Sequence, residues 1–168
     1  MKSTEERADV DLLSTTLKAI RKDRRLRSSE VARALGMPLR SYEHLESGRG
    51  RFTFDRIVRF AEVTNSDPFA IIAVLALKSP EFALRCADNK LMTILMIAMS
   101  ELNEKLGEDI VFLEPGTLIG AFTRVVKDLK DHIEKRDLFA ETWLQERSSK
   151  VQGARPLRDG RLRGRVVE

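Results

Sequence analysis

A single cysteine, Cys86, occurs in the 168 residues. This excludes an internal disulfide, and one cysteine cannot by itself form a metal site. Its apolar surroundings make it read as a small buried hydrophobe. Histidine is nearly as scarce, with only His44 and His132. There is no HExxH pattern, no cysteine pair and no glycine-rich phosphate loop. The carboxylates are numerous but scattered, as solvated helix-surface charges are. No catalytic constellation results, so neither an enzyme nor a cofactor nor a metal site is expected. No apolar run reaches the ~18 residues of a membrane span, and the longest, residues 91–99, is interrupted by Thr93. The opening MKSTEERADVDLL lacks the apolar core of a secretory signal, so a cytoplasmic protein with no membrane partner is expected.

Charge is present, and it is segregated. Residues 17–60 hold 12 basic and 5 acidic side chains, a net +7, and residues 150–168 hold 6 and 2, a net +4. Residues 61–149 hold 10 and 15, a net −5. A polyanion is therefore expected at the first two segments and not along the acidic middle.

The most informative stretch is residues 28–48, SSEVARALGMPLRSYEHLESG. Val31, Ala32 and Leu35 fall on one helical face, and Gly36 follows as a residue suited to a left-handed helix stop. Pro38 suits a first helical turn. A second helix then carries Leu39, Tyr42 and Leu45 inward at i, i+3 and i+6, with Arg40, Ser41, Glu43, His44 and Ser47 outside. A short helix, a tight glycine turn and a polar second helix fit the DNA major groove, which admits one α-helix.

The surrounding pattern is helical throughout. One helix is expected over residues 10–25, with Leu13, Leu17 and Ile20 inward, behind a few frayed residues. Thr53 caps a fourth helix that runs through Asn65, with Phe54, Ile57, Val58 and Ala61 inward. Asp67-Pro68 opens a fifth, residues 69–78, apolar nearly all round and so buried on more than one side. Ser79-Pro80 repeats the signal ahead of helical periodicity over residues 82–106, with Met92, Met96 and Met99 beside the apolar stripe. Residues 107–116 form a break in which Ile110 to Leu113 read as a short strand or an extended link. A long helix over residues 117–147 follows. Residues 150–168, rich in arginine and glycine and without an apolar stripe, read as disordered.

Leu26, Glu30-Val31-Ala32, Leu35-Gly36, the run from Ser41 to Gly48 and Ile57-Val58-x-Phe60-Ala61 together resemble the DNA-binding domain of phage Cro and repressor proteins and bacterial XRE-type regulators. The resemblance runs from Leu17 to about Phe69, within residues 12–78. It implies an all-α fold, a five-helix lambda-repressor-like domain over residues 1–78. A helical dimerisation or signal-input domain over 79–149 and the disordered tail over 150–168 complete the expected organisation. Leu39, Arg40 and His44 fall where family members place base-contacting side chains. Arg40 can pair bidentately with guanine, worth ~1–3 kcal/mol of discrimination. Leu39 can pack on a thymine methyl or lie in the core. Glu43 either reads cytosine or orients a basic neighbour. Phosphate contacts are expected from Arg27, Ser28, Ser41, Arg49 and Arg51. Family members commonly carry glutamine where this chain has Ser28, so that site is left with phosphate binding or capping. Arg21 and Glu46 align with a buried ion pair of the family, a structural role.

These readings converge on a sequence-specific regulator of transcription, a nucleoid-associated repressor that binds a palindromic operator in double-stranded DNA as a homodimer. Half-sites should lie about one helical turn (~34 Å) apart, or a multiple of that. The tail either touches DNA or serves as a solubilising end. The alternative is an antitoxin or adaptor whose C-terminal helices bind another, unidentified protein.

Overall fold

The computed structural model describes residues 4–152, with side chains described through residue 144. Helices follow one another as α1 (Thr4–Asp23), α2 (Ser28–Ala34), α3 (Leu39–Glu46), α4 (Phe54–Thr64), α5 (Pro68–Leu77), α6 (Pro80–Cys86), α7 (Leu91–Leu106) and α8 (Pro115–Gln152). A 3₁₀ segment, Gly107–Phe112, stands where a strand or extended link was expected, and no strand occurs among the described residues. The all-α expectation holds. The disorder expected for residues 150–168 falls, from residue 153 on, outside the described residues, while residues 150–152 continue α8.

The chain divides into two compact units, Met1–Glu108 and Asp109–Glu168. The first unit runs past the expected boundary at 78/79, because α6 packs on α1 and α5, and α7 packs on α5. Its core is built from Leu13, Leu17 and Ile20 of α1, Val31 and Ala32 of α2, Tyr42 and Leu45 of α3, and Ile57, Phe60 and Ala61 of α4. Ala70, Ile71 and Val74 of α5 complete it, with Ala83 and Cys86 of α6. Cys86 is thus the buried small hydrophobe its neighbours suggest, and burial raises its thiol pKa.

Several elements differ from their expected extents. α1 begins at Thr4, with Glu5 and Glu6 in a first turn where the helix dipole favours acidic residues. Asp9 there pairs with Lys78 Nζ at 2.9 Å. In α4, Phe54 is 58% exposed and Phe60 is fully buried, so the inward face is Ile57, Phe60 and Ala61 rather than one that starts at Phe54. Instead the Phe54 ring lies 6.1 Å from that of Phe69. The single periodic run over 82–106 is two helices, parted at residues 87–90 with Lys90 in the left-handed region at φ 55°.

That break lets two helices share one carboxylate. Asp67 is fully buried. Its Oδ1 caps α5, accepting from the Phe69 and Ala70 N–H groups at 3.1 and 3.2 Å. Its Oδ2 accepts from the Met92 and Thr93 N–H groups at 2.8 and 3.1 Å, and Thr93 Oγ1 donates to Oδ1 at 2.8 Å. One side chain therefore satisfies orphan donors at the N-termini of both α5 and α7.

The second unit, in its described part, is dominated by α8. None of the side chains described for α8 is buried. Ile119, Phe122, Val125, Val126, Leu129 and Ile133 are all exposed on one side of it.

Asp67→Ala removes the cap of two helices and leaves buried amide donors without an acceptor. An N-cap replaced by alanine costs ~0.5–2 kcal/mol and each orphaned buried donor adds to that. Urea denaturation of the full chain should therefore show a loss of about 3 kcal/mol. A loss below about 1 kcal/mol, the cost of one ordinary cap, would remove the shared-cap role.

Candidate nucleic-acid interface

The turn between α2 and α3 follows from the glycine that the sequence supplies. Gly36 takes φ 65°, with its own N–H on Arg33 O at 3.0 Å and the Met37 N–H on Ala32 O at 3.0 Å. Open space surrounds its α-carbon, so the left-handed backbone alone is what calls for glycine here. Pro38 precedes α3 in extended conformation and starts the helix without an unsatisfied N–H.

α3 buries Tyr42 and Leu45 and turns Leu39, Arg40, Ser41, Glu43 and His44 outward. Leu39 is 43% exposed, which removes its core alternative and leaves it on the outer surface at the start of the helix. Among the described residues, the side chains of Arg40, Ser41, Glu43 and His44 have no hydrogen-bond or ion-pair partner. Glu43 therefore orients no basic neighbour. Four different chemistries stand side by side on about two turns of helix: an aliphatic branch, a guanidinium, a carboxylate and an imidazole.

Arg21 and Glu46 hold this helix in place. The Arg21 guanidinium grips the Glu46 carboxylate through Nε and Nη2, the latter at 3.0 Å, and its Nη1 donates to Leu26 O at 2.9 Å. The Tyr42 hydroxyl donates to Glu46 Oε1 at 2.7 Å, and Ser14 Oγ donates to the Glu46 carbonyl. Both charged side chains are nearly enclosed, at 12% and 9% exposure. The hydrogen bond to Glu46 raises the Arg21 pKa further above its ordinary value, and burial drives the Tyr42 phenol strongly upward. The family-implied pair is therefore present as an ion pair with a third member, Tyr42.

At the start of α2, Arg27 is the cap residue and Ser28 the first helical one. The Arg27 N–H donates to Glu30 Oε2 at 2.7 Å, and Arg27 Nη2 reaches Glu30 Oε1 at 3.3 Å. Those hydrogen bonds lower the Glu30 pKa. The capping expected of Ser28 is thus carried by the Glu30 carboxylate, and Ser28 makes no side-chain cap. The Arg27 side chain stays 81% exposed.

Beyond α3 the chain turns tightly through Gly48 and Gly50. A Cβ on Gly50 would lie 2.8 Å from Leu45 Cα, so the loop closes against the helix only with glycine there. Arg49 and Arg51 are exposed on this loop, with Arg49 Nε donating to Ser47 Oγ at 3.2 Å. Nothing in the sequence pattern points to Arg56. It occupies the third position of α4 and donates from Nη1 to Arg51 O at 2.6 Å, which braces the loop. The Thr53 cap, accepting from Arg56 N at 3.3 Å, fixes the start of α4 and so aims Arg56 back at the loop.

Residues 12–68 match the family model described as a helix-turn-helix domain. The helix-turn-helix domain thus spans most of α1, all of α2, α3 and α4, and the first residue of α5. The match is to that domain as a class, and the likeness to phage Cro and XRE-type proteins is finer than it reaches. α6, α7 and α8 lie outside the matched segment. No curated protein and no solved structure matches the chain. Among the described residues no cluster of ligating side chains suits a metal ion, and no helix is long and apolar enough to cross a membrane.

Removing one partner of an enclosed ion pair leaves the other uncompensated, at ~3–5 kcal/mol. Arg21→Met and Glu46→Leu should each cost the helix-turn-helix domain about that much in chemical denaturation, and the double variant should lose less than the sum of the two. Strict additivity would mean the pair is not coupled.

Proposed function

We propose that the protein is a sequence-specific DNA-binding regulator of transcription, a repressor that engages a palindromic operator as a homodimer. The observation that carries this reading is the outer face of α3. In a helix-turn-helix domain it is the surface that enters the major groove, and here it presents Leu39, Arg40, Glu43 and His44 without intramolecular polar partners. Arg40 pairs with guanine O6 and N7, His44 donates to a base acceptor, Leu39 packs on a thymine methyl and Glu43 accepts from cytosine N4. Arg49 and Arg51, on a loop closed by Gly50 and braced by Arg56, hold phosphates, with Arg27 and Ser41 at the flanks. Ser28 is the weakest of these contacts, because Glu30 places a carboxylate at the same helix start.

Dimerisation is proposed from the exposed apolar side of α8 and from the small surface one helix-turn-helix domain offers, since a two-fold pair doubles contacts across a palindrome. A second reading, an antitoxin or adaptor that binds another protein, draws on α7, where Leu91, Ile94 and Ile97 are exposed at three-residue spacing on one side.

Selection of bound sequences from a random duplex pool by the full chain tests the reading. A palindromic motif is the expected result, and recovery of no motif would leave the protein-binding alternative standing. Arg40→Ala should relax preference at one base position, at ~1–3 kcal/mol. Arg51→Ala should instead weaken binding on all sequences and reduce the salt slope by about one. A uniform loss from Arg40→Ala would reassign it to a phosphate.

A further inference from the structure

We propose that α8 pairs with α8 of a second copy in antiparallel orientation, in one register set by Asp128 and Lys135. This deepens the homodimer reading above and rests on it. The apolar side of α8 spans an arc of roughly 160° at 100° per residue, wider than a two-residue coiled-coil seam. The exposed apolar side chains of that arc present on the order of 1,000 Å², against ~800 Å² per partner in a standard interface. The opposite side is internally paired, Lys127 with Asp131 and Lys130 with Glu134.

Two features say that the occupant is another α8, and which way it runs. With heptad positions a at Phe122, Leu129 and Arg136 and d at Val125, His132 and Phe139, the g edge carries Asp128 and Lys135 and the e edge Val126 and Ile133. Among the described residues neither Asp128 nor Lys135 has an ion-pair partner in its own chain. Parallel pairing sets g against e, so Asp128 would face Ile133 of the other copy, and Arg136 and His132 would each stack on themselves. Reversal sets g against g and e against e. Asp128 then meets Lys135 twice, Val126 meets Ile133 twice, Phe122 packs opposite Phe139, and Arg136 lies opposite Val125. An edge that complements its own reverse is the requirement of a two-fold contact. Sliding the partner by one heptad either way opposes Asp128 to Asp128 or Lys135 to Lys135, so one register remains.

Sedimentation equilibrium of the full chain should give twice the 19.1 kDa of one copy. A monomer that persists to about 100 μM would overturn both this pairing and the homodimer reading. Orientation is read by disulfide trapping in a Cys86→Ala background. Phe122→Cys alone should not cross-link, because antiparallel copies hold the two sites ~26 Å apart along the helices. Mixed with Phe139→Cys it should. Self-cross-linking of Phe122→Cys would overturn the orientation and leave the homodimer intact. Lys135→Asp, at an exposed site that leaves helix content unchanged by circular dichroism, should weaken association roughly five- to tenfold. Adding Asp128→Lys should restore it to within about twofold. Unchanged association in the single variant would overturn the register.

Discussion

The placement of α3 depends on the Glu46 carboxylate. An eight-residue helix is too short to persist by itself, and α3 buries only Tyr42 and Leu45. Two apolar anchors hold it down but leave its rotation about its own axis weakly fixed. Glu46 supplies the missing restraint, accepting from Arg21 of α1 and from Tyr42 one turn earlier. Arg21 in turn holds the Leu26 carbonyl in the segment that leads into α2. The same charged pair therefore fixes the entry to the helix-turn-helix and the exit from it. With Glu46 turned inward, Arg40, Glu43 and His44 are turned outward by helical geometry alone.

The Asp67 carboxylate does comparable work at the other end of the first unit. A helix start leaves donors that must find acceptors, and α5 and α7 both begin next to this one buried side chain. Charge at the carboxylate is offset by two helix N-termini and a threonine hydroxyl, which is why a fully buried acid is tolerated there. The consequence is that α7 is tied to the helix-turn-helix domain by hydrogen bonds to the Asp67 side chain and not only by apolar contact. That is how a segment outside the matched family region belongs to the same compact unit.

Local signals were legible in the sequence where one residue type has one physical reason to be present. Gly36 stops α2, Thr53 caps α4 and Asp67-Pro68 opens α5, each as read from type and spacing alone. Leu13, Leu17, Ile20, Tyr42 and Leu45 are buried as periodicity requires. What periodicity missed lies where a tertiary partner decides. Phe54 and Phe60 are both aromatic, and only the angle at which α4 meets the core sends Phe60 in and leaves Phe54 out. The break at residues 87–90 carries no proline or glycine, and the helix start that follows it is held by Asn89 and by Asp67, more than twenty residues earlier. Ser28 reads as a cap until Glu30 is seen to take that role. Arg56 is invisible as a brace until the loop it holds is closed. On α3, Arg40, Ser41, Glu43 and His44 were readable as outward, but spacing also put Leu39 inward with Tyr42 and Leu45, and at the first position of the helix it is exposed instead.

The two units differ in what holds them. The first has a core in which large side chains such as Tyr42, Phe60 and Leu17 are fully enclosed. α8, at 38 residues, has none among its described side chains. Its own pairs, such as Lys127 with Asp131, are worth only ~0.2–0.5 kcal/mol each, too little to fix a helix some 57 Å long. A wide apolar arc on such a helix lowers the free energy of the helical state only when another surface covers it. The first unit has a core of its own, and the α3 surface is set within it by the burial of Tyr42 and Leu45 and by the Glu46 pairing. In the dimer proposed above, association would change how many such surfaces act together, not whether one is formed.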